Sequence, residues 1–204
     1  MPDPPDQPSA RAEQVRQTQA ALVAAGRRLF GRHGFAATSV EDLARDAQVT
    51  TGALYHHFQN KTALFETVFV EVHTELLEAS ARAADGAPSD LESLARGFEA
   101  YLDAVTEPAV QQILITDGPA VLGLARFAEM DEPFTTIVAA MRAVGTLPVA
   151  DPETVTRMLL GALTRGGMLI ARSADADRAA ARAAVAQVMR AMLAGLAASD
   201  GSVA

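Results

Sequence analysis

The chain has 204 residues, half of them hydrophobic and about a fifth charged, with a formal net charge of −8 and no cysteine. That length suits one medium domain, or a small domain joined to a larger one, with apolar residues enough for a substantial core. The lack of cysteine excludes a disulfide framework and a thiolate metal site.

The start, Met1-Pro2-Asp3-Pro4-Pro5-Asp6, is acidic and proline-rich, the opposite of a signal peptide. Arg165 and Arg172 interrupt the most hydrophobic stretch, so no run reaches the length of a membrane span. A soluble, cytoplasmic protein without membrane association is expected. Residues 1–9 contain four prolines and no apolar periodicity, which predicts a disordered N-terminal arm.

A first helix is predicted from Ala10 to His33, with Val15, Leu22, Ala25 and Leu29 on its inner stripe and Gly34 as its stop. Thr38, with Glu41 three residues on, reads as a capping box for a second helix carrying Val40, Leu43, Ala44 and Ala47. After a short connection at Gln48-Val49, Thr50 or Thr51 opens a third helix that cannot run far beyond Phe58. Asn60 caps a fourth, which begins at Lys61 and continues through Val68, Val72, Leu76 and Ala83.

Two short helices with a tight connection are the layout of a helix-turn-helix, whose second helix lies in the DNA major groove. Val49, Leu54 and Phe58 are spaced to pack inward, so Thr50, Thr51, Gly52, Tyr55 and His56 look elsewhere. The first turn of this helix is thin, which allows close approach to base edges, and threonine methyls can meet thymine methyls. Lys61 is a cation in the first turn of its helix. It opposes the macrodipole at a cost of a few tenths to about 1 kcal/mol, an anomaly that an external anion would remove.

Gly86-Ala87-Pro88 ends the fourth helix, and Ser89 with Glu92 forms another capping box. Pro108, Gly118-Pro119, Pro133 and Pro148 cut the middle of the chain into shorter helical pieces. Asp151-Pro152-Glu153 then opens a helix of about 152–172 that is apolar nearly all round from Met158 to Ile170. Gly161, Ala162, Gly166 and Gly167 let a neighbour come close to it. A last helix, about 176–197, carries Val185, Val188, Met189, Met192, Leu193 and Leu196 on a wide face. These two helices either complete one monomer's core or form a dimer interface, and the extent of their apolar surface favours a homodimer. No segment alternates as a strand does, so the fold class is all-α.

From about Arg11 to Phe69 the chain resembles the tetracycline-repressor (TetR) family of bacterial transcription regulators. The resemblance lies in Leu29-Phe30, Gly34-Phe35, Thr38, Val40, Leu43-Ala44, Val49, Gly52, Ala53-Leu54-Tyr55, His57-Phe58, Asn60-Lys61 and Leu64-Phe65. Residues 110–123 are also similar to a stretch of one branch of TetR-like C-terminal domains. The resemblance implies an N-terminal three-helix helix-turn-helix domain (10–70) followed by a helical ligand-binding and dimerisation domain (71–204). Its implied partners are a double-stranded DNA operator, an unidentified small-molecule effector and a second copy of the chain. Carried over by position, Thr38, Tyr55, His57 and Lys61 touch phosphates, while Thr50, Thr51, Gly52 and His56 face bases.

The net charge does not oppose DNA binding. Residues 1–70 carry seven basic and seven acidic side chains, so the acidic excess lies outside the helix-turn-helix and orients the molecule on DNA. Of the basic residues, only Lys61 is lysine.

Enzymes form the main rival class, yet no G-x-S-x-G, P-loop, H-E-x-x-H or G-x-G-x-x-G is present, and carboxylates such as Asp117 and Glu129 read as a solvated face. His56 and His57 project about 100° apart and cannot chelate one ion. His33 and His73 lack an acidic or histidine partner one turn on, so no metal and no cofactor is expected. Phe98, Tyr101, Leu102, Phe127, Met130, Phe134, Met141 and Met168 either line a pocket or fill a core. Tyr101, Phe127, Met130 and Met168 are taken as the candidate effector contacts, and the ligand as largely apolar. The expected function is a ligand-responsive repressor that binds a palindromic operator as a homodimer. The alternatives are an activator, or a helix-turn-helix fold used for protein contact.

Overall fold

The apolar stripes of the first four helices close on one another. In the computed structural model, α1 (Ala10–His33), α2 (Val40–Asp46), α3 (Thr51–His57) and the head of α4 (Lys61–Ala84) bury Leu22, Phe30, Leu43, Leu54, Leu64 and Phe65 together. The structure describes residues 10–129, 132–149 and 151–198, and within them omits the side chains of 10, 124, 125, 127–129, 132 and 133. The expected N-terminal arm, Met130 and the Phe127 side chain lie outside the described residues.

α5 (Asp90–Ala104) and the short α6 (Pro108–Val110) lead into a π-helical segment, Gln111–Asp117. α7 (Gly118–Glu129), α8 (Glu132–Ala143), α9 (Pro152–Arg172) and α10 (Arg178–Ala198) follow. The fold is all-α, with no strand among the described residues.

The predicted helix starts hold at Asn60, Ser89 and Asp151, whose side chains accept from Ala63 N, Glu92 N and Thr154 N. The second helix starts differently from expectation. Its cap is Ser39, with Oγ accepting from Asp42 N at 3.0 Å. Thr38 is 3% exposed and turns inward, its hydroxyl donating to Gly34 O at 2.8 Å. Two adjacent hydroxyls compete for one cap, and the carbonyls at the end of α1 claim the first.

The first core does not stop at residue 70. Val72 and Leu76 of α4 join it, and so do Val105 and Ile113 to Ile115. Glycines allow this close docking. A Cβ at Gly31 would lie 2.7 Å from Ala109 Cβ, and one at Gly118 would lie 2.5 Å from the Phe69 ring.

A second core, with Phe98, Leu102, Val138, Leu159, Leu163 and Met189, joins α5, α8, α9 and α10. Leu193, on the wide face for which a monomer core and a dimer interface were both open, is 2% exposed in this core. Tyr101 touches both cores, and burial pushes its phenol up to about 12. Arg190 pairs with Glu92 and Glu99, and Arg182 with Asp103, tying α10 to α5 across their exposed edge. Pairs so exposed are screened by water and contribute little to stability.

Candidate nucleic-acid interface

The α2–α3 connection is tight because Val49 N donates to Ala44 O at 2.9 Å while Gln48 adopts a left-handed φ of 57°. Thr50 caps α3, its Oγ1 accepting from Ala53 N at 3.1 Å. Leu54, fully buried, and Phe58 fix the inner face of α3. Thr50, Thr51, Gly52, Tyr55 and His56 are consequently exposed together, and His57 is half-buried beside them. Tyr55 keeps 55% of its surface exposed, a large aromatic held out from the core.

Gly52 stands on this outer face without an internal reason. Its φ is not in the left-handed region, and an added Cβ would meet only Thr50 Oγ1, at an ordinary 3.8 Å. Glycine within a helix costs roughly 0.5–1 kcal/mol relative to alanine. The protein's own packing therefore does not account for the residue, whereas an external surface pressed against the first turn of α3 would.

Lys61 and Thr38, both expected on phosphates, make contacts within the protein as well. Lys61 Nζ donates to Phe35 O at 2.8 Å and Thr38 O at 2.9 Å, and lies 4.2 Å from the centre of the Phe35 ring. These carbonyls and the ring face resolve the dipole anomaly internally, without an external anion. Two of the three ammonium protons are used, and the side chain remains half-exposed. The Thr38 hydroxyl is directed into the corner between α1 and α2, toward Gly34 O and Leu29 O.

Phe35 is gripped from the other side by Asp117, whose sequence context suggests only a solvated face. Asp117 Oδ2 accepts from Phe35 N at 2.7 Å, bridging the end of the π-helical segment to the end of α1. No local sequence signal announces this contact, because its partners are 82 positions apart. A carboxylate on a backbone N–H is among the stronger protein hydrogen bonds. The helix-turn-helix is thus pinned to the rest of the chain at the place where Lys61 pins it to α4.

Of the effector contacts expected from sequence, Tyr101 packs half-buried against both cores and Met168 against the first, while Met130 and the Phe127 side chain lie outside the described residues. A cavity of about 270 Å³ lies between the C-terminal half of α4, α5 and α8, with Leu77, Ser80, Phe98, Phe134 and Met141 among its walls. Among the described residues no cluster of three or more His, Cys, Asp or Glu could hold a metal, and no helix is long and apolar enough to cross a membrane.

Comparison with known proteins gives concordant results. Residues 22–68 match the model for bacterial regulatory proteins of the tetR family, and residues 91–196 match the tetracyclin repressor-like C-terminal domain. The HTH-type transcriptional repressor KstR2 of Mycolicibacterium smegmatis is 32% identical over 116 residues, which are 57% of this chain and 53% of that protein. The A-factor receptor protein of Streptomyces griseus is 26% identical over 188 residues, 89% of this chain and 65% of that one. The chain thus spans about half to two thirds of the length of these curated relatives. The crystal structure of a TetR-family transcriptional regulator from Pectobacterium atrosepticum superposes with a TM-score of 0.77 at 30% identity, over 92% of this chain and 97% of that one.

Proposed function

The chain belongs to the TetR family of DNA-binding transcriptional regulators, which are not enzymes, and from that premise we propose that it is a ligand-responsive repressor binding a palindromic operator as a homodimer. The observation that carries the DNA-reading face is Gly52, a helix-weakening residue that the protein's own packing does not require, set between exposed threonines. In this reading Thr50, Thr51, Gly52 and His56 meet base edges, while Tyr55, His57 and the third ammonium proton of Lys61 reach phosphates. Thr38 contributes by holding the α1–α2 corner rather than by direct contact. Repression is supported by the likeness to KstR2, and a ligand response by the likeness to a protein named as a receptor. A DNA partner implies the cytoplasm.

The homodimer is supported by apolar surface left on the outside of α9 and α10. Met158 is 66% exposed, Leu169 53% and Val188 58%, and a Cβ at Gly161 or Gly195 would meet nothing within 4 Å. Such a stripe suits close packing against a copy of itself about a two-fold axis. Selection from random duplexes at moderate salt tests the reading. Enrichment of an inverted repeat is expected, with half-sites about 34–36 Å apart or somewhat more. A pool that stays random would leave a helix-turn-helix used for protein contact as the better account.

A further inference from the structure

The cavity between α4, α5 and α8 has a chemistry that narrows what it can hold. Among its described lining residues none is charged, and the walls are aliphatic and aromatic apart from Ser80 and Ser93. The Ser93 hydroxyl already donates to Ala84 O. Ser80 is 8% exposed and sits on the α4 wall, where a close approach of Gly97 lets α5 come near its backbone.

From its volume, charge and polar content we infer that this cavity is the effector site, and that it takes an uncharged, largely apolar molecule with one hydrogen-bonding group, held by the Ser80 hydroxyl. The inference rests on the reading of the chain as a ligand-responsive regulator. A dry apolar cavity of about 150 Å³ accommodates benzene, so one of about 270 Å³ suits a molecule of roughly ten to fourteen non-hydrogen atoms. A carboxylate or ammonium entering here would lose its water and gain no countercharge from the described walls.

The cavity's place explains why such a ligand would be felt by DNA. Leu77, Ser80, Ala81 and Ala84 belong to the helix whose first residue, Lys61, holds Phe35 in the reading head. The distance along α4 from Lys61 to Ser80 is roughly 28 Å at 1.5 Å per residue. The wall opposite α4 includes Phe134 and Met141 of α8, and Ile137 at 44% exposure, so the site is reached from that edge. A molecule seated between α8 and α4 bears directly on the helix that begins beside Phe35.

The experiment uses the full-length chain and three probes of nearly one shape: 2-naphthol, naphthalene and 2-naphthoate. Binding is followed by naphthyl fluorescence and by the shift of the protein's melting transition. One 2-naphthol is expected per chain, with 2-naphthoate at least tenfold weaker. Ser80→Ala should lower 2-naphthol affinity about 2- to 10-fold, the effect of one neutral hydrogen bond, and leave naphthalene unchanged. Ala81→Phe, at an exposed position of α4 beside the cavity, should abolish binding of both neutral probes while still melting cooperatively.

No binding of 2-naphthol up to its solubility limit would overturn the inference. So would 2-naphthoate binding as tightly as 2-naphthol, or a folded Ala81→Phe protein that binds unchanged. Repeating the titration with the selected operator separates this inference from the function on which it rests. Neutral probes that bind as described yet leave DNA affinity unaltered would leave the cavity's chemistry intact but remove its role as an effector site. A protein that selects no operator would remove the regulator reading itself.

Discussion

Gly52→Ala separates the demands of folding from those of DNA. A methyl added at residue 52 enters open space, with Thr50 Oγ1 at 3.8 Å as its nearest neighbour. The fold should therefore gain roughly 0.5–1 kcal/mol from the higher helix propensity of alanine. In a chain of this size that gain corresponds to a melting temperature about 1–4 °C higher. The same methyl would stand on the turn of α3 proposed to lie against base edges. Displacing one such contact costs about 1–3 kcal/mol per half-site, or roughly 5- to 150-fold, and a symmetric dimer would suffer it twice. Salt dependence should stay the same, because no phosphate contact is lost. Thermal melting and fluorescence anisotropy on the selected operator measure both sides of the trade. A variant that melts higher and binds DNA with unchanged affinity and base preference would refute the reasoning about Gly52. One that melts lower would refute the geometry.

Asp117→Ala should destabilise the protein by about 1.5–3 kcal/mol, because Phe35 N–H loses a charged acceptor, and Asp117→Asn should recover part of that loss through its amide oxygen; equal losses in the two variants would argue against the bond. Gln48→Gly should raise the melting temperature by a net equivalent of about 0.5–1 kcal/mol, since relief of the left-handed φ exceeds the added freedom of the unfolded chain; a lower melting temperature would show that Gln48 contributes more than backbone geometry. Val188→Glu, at a position 58% exposed within one chain, should leave the monomer fold intact while sedimentation shows loss of the dimer. A wild-type chain that sediments as a monomer at micromolar concentration would remove the homodimer altogether.

What the sequence determined by itself was what neighbours along the chain decide. The ends of α1 at Ala10 and His33, and those of α9 at Pro152 and Arg172, were readable from a glycine stop, an Asp-Pro start and apolar residues recurring every three to four positions. The exposed face of α3 was equally legible, because Leu54 and Phe58 lie one turn apart and leave Thr51, Tyr55 and His56 on the outside. Tertiary structure chose between groups with equal local claims. Ser39 rather than Thr38 caps α2 because the end of α1 offers carbonyls to the Thr38 hydroxyl. Lys61, which looked unpaired along its own helix, finds Phe35 O and Thr38 O from a different part of the chain. Leu193 had the composition of an interface and became core instead. The cavity opened where α8 meets α4 and α5. Asp117 on Phe35 N–H follows from the same cause. Helix periodicity and caps are set within a few residues, whereas a hydrogen-bond partner or an unfilled volume depends on which distant surfaces the packed helices bring together.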